Sequence, residues 1–299
     1  IRKILRLNDS GDFASTLVLD GGTLEITDQP TLSGILRQQA ASKIKLAQDA
    51  ILTTEQAVDL GSSVLSLEGP GTFTNAEAFV LVQDSGLDLS QGVVVTGDIE
   101  MSGGVFRLSG EAEVSGAMSL TGDTTVQIAE EKTLTYGGAA LSLGVNTLTL
   151  AGAGTLSNAN ALVLENEVSV LKLSGTNTIS GPVSLNAGTI DVDESSILSS
   201  DLTLGGPALI DVAQEKTLTY GGAALSLGAN TLTLAGGGTL SNTNALVLEN
   251  EASVLKLSGT NTISGPVSLN AGTIDVDESS TLSSDLTLGG SSTIDVAQE

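Results

Sequence analysis

Thr147-Leu148-Thr149-Leu150, Val170-Leu171-Lys172-Leu173, Thr189-Ile190-Asp191-Val192 and Leu209-Ile210-Asp211-Val212 are one phrase written four times. In each, every second residue is aliphatic, so an extended strand turns one face inward and the other toward solvent. The starts lie 23, 19 and 20 residues apart, then 22 to Thr231, which makes a period of 84. Behind each phrase comes a second inward residue (Leu156, Ile179, Leu198, Leu218). A closing pair follows: Leu162/Leu164, Val183/Leu185, Leu202/Leu204 and Leu225/Leu227. Turn residues (Gly, Asn, Ser, Asp, Pro) separate the three. Three short strands in about 21 residues make one turn of a solenoid, which buries its aliphatic face only against its neighbours.

The period recurs along the chain. Lys132 to Glu215 aligns with Lys216 to Glu299 without a gap and with 76 of 84 residues identical. The eight differences are Val145/Ala229, Ala153/Gly237, Ala159/Thr243, Val168/Ala252, Ile197/Thr281, Pro207/Ser291, Ala208/Ser292 and Leu209/Thr293. Residues 48–131 are a diverged copy, and residues 1–47 the second half of another. The organisation expected is therefore 1–47, 48–131, 132–215 and 216–299 within one continuous solenoid. Strand starts continue upstream through Ile4, Thr23, Lys43, Val64, Gly86, Val105 and Thr125. The fold expected is all-β, a parallel β-helix of about 14 coils with three strands per coil. Coil lengths vary from 19 to 23 residues, with the slack in turns, which favours the right-handed form. At a strand spacing of about 4.8 Å the coils would make a rod on the order of 65–70 Å.

Composition removes whole classes of chemistry. Cys, His and Trp are absent, and Phe and Tyr number four and two among 299 residues. That excludes disulfides, thiolate or imidazole metal sites, and His-dependent triads. The net charge of −24 argues against nucleic acid and anionic membranes, and no apolar run approaches the roughly 20 residues of a membrane span. Charge is uneven. Residues 1–48 hold six basic side chains (Arg2, Lys3, Arg6, Arg37, Lys43, Lys45) against five acidic ones, and the rest holds five against 30. The chain opens on Ile1 without a visible signal peptide, which reads as a piece of a longer protein.

Leu173-Ser174-Gly175-Thr176-Asn177-Thr178-Ile179-Ser180-Gly181-Pro182-Val183-Ser184-Leu185-Asn186-Ala187-Gly188-Thr189-Ile190 resembles the passenger-associated β-strand repeat of bacterial autotransporters, and the match returns from Gly259 to Ile274. Ile179 and Ile263 stand where that family usually carries an aromatic residue. The resemblance covers about 18 residues per copy. It implies a right-handed β-helix on a large bacterial surface or secreted protein, with adhesion, display or filament formation as the usual roles.

Three features could carry chemistry. The first is the outward column at the third position of the leading strand. It reads Arg6, Glu25, Lys45, Ser66, Asp88, Arg107, Gln127, Thr149, Lys172, Asp191, Asp211, Thr233, Lys256, Asp275 and Asp295. Arg6–Glu25–Lys45 is a complementary ladder, and Lys172 can pair with Asp191. Asp191 beside Asp211 is a repulsive pair. A Ca²⁺ ion could relieve it through oxygen ligands, with Asp191, Asp193, Asp211, Asp275, Asp277 and Asp295 as candidates. A solvated acidic face explains the same residues, and the calcium-binding Gly-Gly-x-Gly-x-Asp nonapeptide is absent. The second is a pair of carboxylates acting as acid and base. Both candidate sets recur, as Asp191/Asp275 and Glu194/Glu278, whereas a catalytic site is singular, so no enzyme is expected. The third is the Thr-x-Thr of Thr147 and Thr149, which resembles an ice-binding rank. Lys172, Asp191 and Asp211 interrupt it, and ordinary β-branched strand residues account for it. Asn158, Asn177 and Asn186 fall at turns, where left-handed conformations suit Asn.

The expectation is an extracellular or surface-bound structural rod, a stalk or a filament subunit, with no cofactor. Its partners would be itself, through end-to-end stacking or further repeats, or a host surface, neighbouring cell or matrix. The alternative is an acidic binding module for Ca²⁺ or a glycan or cationic ligand.

Overall fold

The computed structural model describes residues 3–297; Ile1, Arg2 and Glu299 of the sequence reading lie outside the described residues. The fold is an all-β parallel β-solenoid of about 14 turns with about 21 residues per turn. It divides into two compact units, residues 1–141 with 153–160, and residues 142–152 with 161–299.

In the first unit, the leading sheet runs from Ile4–Leu7 through Thr23–Ile26, Ser42–Leu46, Val64–Glu68, Gly86–Ser90 and Val105–Leu108 to Thr124–Ile128. All its pairings are parallel, as a coil that returns to the same side requires. The inward positions Leu24, Ile44, Leu65, Leu87 and Phe106 are buried, each stacked on its neighbour. Most of the few aromatic residues of this unit sit inside as well. Phe73 and Phe79 pack with ring centroids 4.9 Å apart. Tyr136 is buried, and its hydroxyl accepts from Met118 N at 3.1 Å and donates to Ala139 O at 2.7 Å. That satisfies the one polar atom the ring brings inside.

In the second unit the leading sheet runs from Thr147–Gly152 through Val170–Leu173, Thr189–Val192, Ala208–Val212, Thr231–Gly236, Val254–Leu257 and Gly272–Val276 to Ser292–Val296. Leu148, Leu171, Ile190, Ile210, Leu232 and Leu255 form the inward row and are fully buried. Each such side chain stabilises the fold by about 1.5–3 kcal/mol relative to exposure. The third sheet is broken between Leu202–Leu204 and Leu225–Ser226. The Gly221-Gly222 stretch precedes the break, and Asn230 Nδ2 donates to Leu204 O at 3.4 Å across it.

Two features differ from the sequence expectation. Not every turn carries three strands: residues 57–61 form no third strand, and Asp59 makes only an isolated bridge to Arg37. The leading strands also slip twice by two residues. Lys45 lies beside Glu68, where Ser66 was expected, and Asp211 lies beside Ala235, where Thr233 was expected. A slip of two keeps every side chain on its face, so the aliphatic pattern allows it. The turns select it. Gly69 (φ 105°) and Gly236 (φ 82°) end these strands in left-handed conformations. A Cβ there would lie 2.1 Å from Leu46 O and 2.1 Å from Val212 O, so glycine lets the chain settle onto the preceding coil.

Candidate binding face

The outward positions of the leading sheet bring charged side chains from successive coils side by side, one strand spacing apart. In the first unit they pair off. Arg6 Nε lies 2.5 Å from Glu25 Oε2, and Arg37 Nε lies 2.8 Å from Asp59 Oδ2. The slip onto Glu68 gives it two cations: Lys43 pairs with it closely, and Lys45 Nζ lies at 3.9 Å. The expected Arg6–Glu25–Lys45 ladder thus forms at Arg6–Glu25, while Lys45 reaches onward to Glu68. Further along, Ser109 Oγ donates to Asp88 Oδ1 at 2.8 Å, and Arg107 Nε to Gln127 Oε1 at 3.2 Å.

In the second unit one lysine serves two carboxylates. Lys172 Nζ lies 2.7 Å from Asp191 Oδ2 and 2.7 Å from Asp193 Oδ2. One repeat later Lys256 Nζ lies 3.1 Å from Asp275 Oδ2 and 2.6 Å from Asp277 Oδ2. The hydrogen bonds to these carboxylates raise both ammonium pKa values above the ordinary lysine range; Asp191 contributes most at Lys172 and Asp277 at Lys256. The Lys–x–Asp–x–Asp alignment recurs at a fixed spacing, which is the signal in the sequence that marks Asp193 and Asp277 as direct partners. Glu194 faces another way and pairs with Lys216 at 2.6 Å.

Asp211 is beside Asp191 in register. Its pKa is raised, first by partial burial, then by the charges of Asp191 and Asp193, with Lys172 opposing. Asp295 takes the same place beside Asp275 and is exposed. The six carboxylates named from the sequence therefore fall into two repeats of one arrangement: an ammonium between two aspartates, with a third aspartate on the far side. The lysine occupies the position between the carboxylates where a cation would be sought. Among the described residues no group of three or more His, Cys, Asp or Glu side chains is disposed to hold a metal ion.

Thr149 stands beside Lys172, so the threonine rank ends after one coil. Thr233 stands between Leu209 and Lys256. The asparagines differ from the expectation. Among the described residues, the non-glycine positions with positive φ are Asp49, Asp84, Gln91, Glu131 and Glu215; Asn158, Asn177 and Asn186 are not among them. Asn158 and Asn177 are buried, and their carboxamides bond backbone carbonyls: Asn158 Nδ2 donates to Asn160 O at 2.8 Å, and Asn177 Nδ2 to Leu150 O and Gly175 O, both at 2.9 Å. Asn242 and Asn261 repeat this one period later. Their role is to supply donors to carbonyls that the turns leave without a ladder partner.

Compared with models of protein families, with curated proteins and with solved structures, the chain matches none.

Proposed function

We propose that this chain is a non-catalytic structural element of a large bacterial surface or secreted protein, acting as a stalk or filament segment in adhesion or cell-surface architecture. One observation carries the reading. The exposed charges recur in the same geometry in both near-identical copies, Lys172 with Asp191 and Asp193, and Lys256 with Asp275 and Asp277. A recurring surface over an aliphatic core suits a length device, in which a copy adds extent and leaves chemistry unchanged. The resemblance of Leu173–Ile190 to the autotransporter passenger repeat supports the extracellular, bacterial setting, with self, host surface or matrix as partners.

Asp211 favours a second reading, an acidic face that takes Ca²⁺ or a glycan or cationic ligand, because its charge is opposed by Asp191 and Asp193. Electron microscopy and thermal melting of the purified protein, with and without millimolar Ca²⁺, separate the two. A scaffold gives elongated particles and an unchanged Tm. A Tm that rises with Ca²⁺ concentration by linkage establishes the binding module instead.

A further inference from the structure

The second unit ends on an uncovered coil. Ile294 and Val296 of the last leading strand occupy inward positions yet are 47% and 61% exposed, and Leu288 is 61% exposed. Their counterparts one coil earlier, Ile274 and Leu269, are buried. Ala297 N donates back to Val276 O at 2.9 Å. In a parallel ladder alternate residues face opposite neighbours, so Ile294 and Val296 turn their peptide groups toward the open edge.

An inner coil of the same unit shows what such an edge accepts. Residues 188–212 are the counterpart of 272–296 one period earlier, and there the edge is covered by the coil that begins at Lys216. Ala208–Val212 pairs with Thr231–Gly236. Lys216 Nζ lies 2.6 Å from Glu194 Oε2, Thr217 N donates to Ser195 Oγ at 3.1 Å, and Ala223 N donates to Asp201 Oδ1 at 2.9 Å. The equivalents on the last coil are Glu278, Ser279 and Asp285. Among the described residues none of their side chains has a hydrogen-bond or ion-pair partner. Glu278 and Ser279 line a groove with Asp277 and Val296.

Four of the eight differences between the copies fall on this last coil, replacing Ile197, Pro207, Ala208 and Leu209 by Thr281, Ser291, Ser292 and Thr293. They change its outer skin and one inward position. Ser292 occupies that inward position and turns its hydroxyl back to Leu269 O at 2.8 Å. Ile294, Val296, Leu288, Glu278, Ser279 and Asp285 keep the identities of their inner counterparts.

We infer that the open edge of the last coil is a docking surface for one more β-solenoid coil of the Lys216 class, whose lysine meets Glu278 and whose amides meet Ser279 and Asp285. The inference deepens the scaffold reading and rests on it, for it names the partner surface through which the scaffold lengthens. A charged edge with an apolar mouth accepts a strand of matching pattern and repels others.

The test extends the full 299-residue chain at its end by one more copy of the sequence from Lys216 to Glu299 and follows amide hydrogen exchange. In the extended chain the Ile294 and Val296 amides slow by more than about tenfold, to the level of Ile210 and Val212. Replacing the lysine that opens the added copy by Met, or Glu278→Gln, weakens that protection while leaving the protection of Ile190 unchanged. An added copy that folds, by its β circular dichroism, yet leaves Ile294 and Val296 exchanging as before overturns the inference. So does an added copy that stays unfolded. Sedimentation of the unextended chain reads out the rival occupant. If copies associate head to tail and thereby protect Ile294 and Val296, the coil at Ile4–Leu7 of a second molecule is the partner and the Lys216 class is not. A Ca²⁺-dependent Tm would overturn the scaffold reading without altering the exchange result, so the two failures are distinguishable.

Discussion

Asp191 and Asp211 stand side by side on neighbouring parallel strands, and among the described residues a lysine bridges to Asp191 while none reaches Asp211. The solenoid forces this contact, because an outward residue has no neighbour but the one directly above or below it. Two carboxylates in this relation oppose each other.

Asp211→Asn should therefore stabilise the protein at pH 7, by up to about 1 kcal/mol. The Asp211 pKa is raised, so its charged form costs stability once pH exceeds the ordinary carboxylate range, and the cost vanishes as pH falls and the group protonates in both states. Urea midpoints of the parent and the variant should separate at pH 7 and converge near pH 3. A variant less stable than the parent at pH 7 contradicts the assignment.

Lys172→Met removes the one ammonium between Asp191 and Asp193. The loss should be about 0.2–1 kcal/mol at low salt and shrink as salt screens the pair. The Lys172 pKa is raised above 10.5, so its contribution is present in full at neutral pH and disappears as pH rises through the folded-state value. Denaturant titrations at two salt concentrations, and at pH 7 and 11, check both dependences.

Ile190→Ala opens a void between Leu171 and Ile210 in the buried row and should cost about 2–5 kcal/mol. Val145→Ala, at a position 63% exposed, should stay within about 0.5 kcal/mol of the parent. The second copy already carries Ala229 at that position. Equilibrium unfolding of the two variants side by side tests whether the core or the skin carries stability.

Asn177→Ala leaves the carbonyls of Leu150 and Gly175 without their side-chain donor and should cost about 1–3 kcal/mol. Asn177→Asp should be at least as damaging above the carboxylate range, since an ionised acid offers those carbonyls no donor. If instead both variants unfold with the parent's midpoint, the carboxamide is dispensable.

The repeat arithmetic made much of this protein legible. The alternation in Thr189–Val192 identifies Ile190 and Val192 as core, and both are buried. The recurrence of Lys172 and Asp191 at Lys256 and Asp275 placed those pairs before any coordinates. Asp193 was harder to place, because it lies one residue past the strand, where strand periodicity no longer dictates direction. The buried asparagines were misread for a related reason: a polar residue near turns looks solvated until the carbonyls around it are counted.

What the sequence determined by itself was the inward face of each strand and the coil as the unit of folding, because an aliphatic residue at every second position can be buried in only one way. What the tertiary structure alone decided was the pairing along the outward column. Lys45 meets Glu68 and Asp211 meets Ala235 because a shift of two residues leaves the buried face intact and costs the pattern nothing. The choice then passes to the backbone, where Gly69 and Gly236 fit against the carbonyls of Leu46 and Val212 in a conformation that a side chain would forbid.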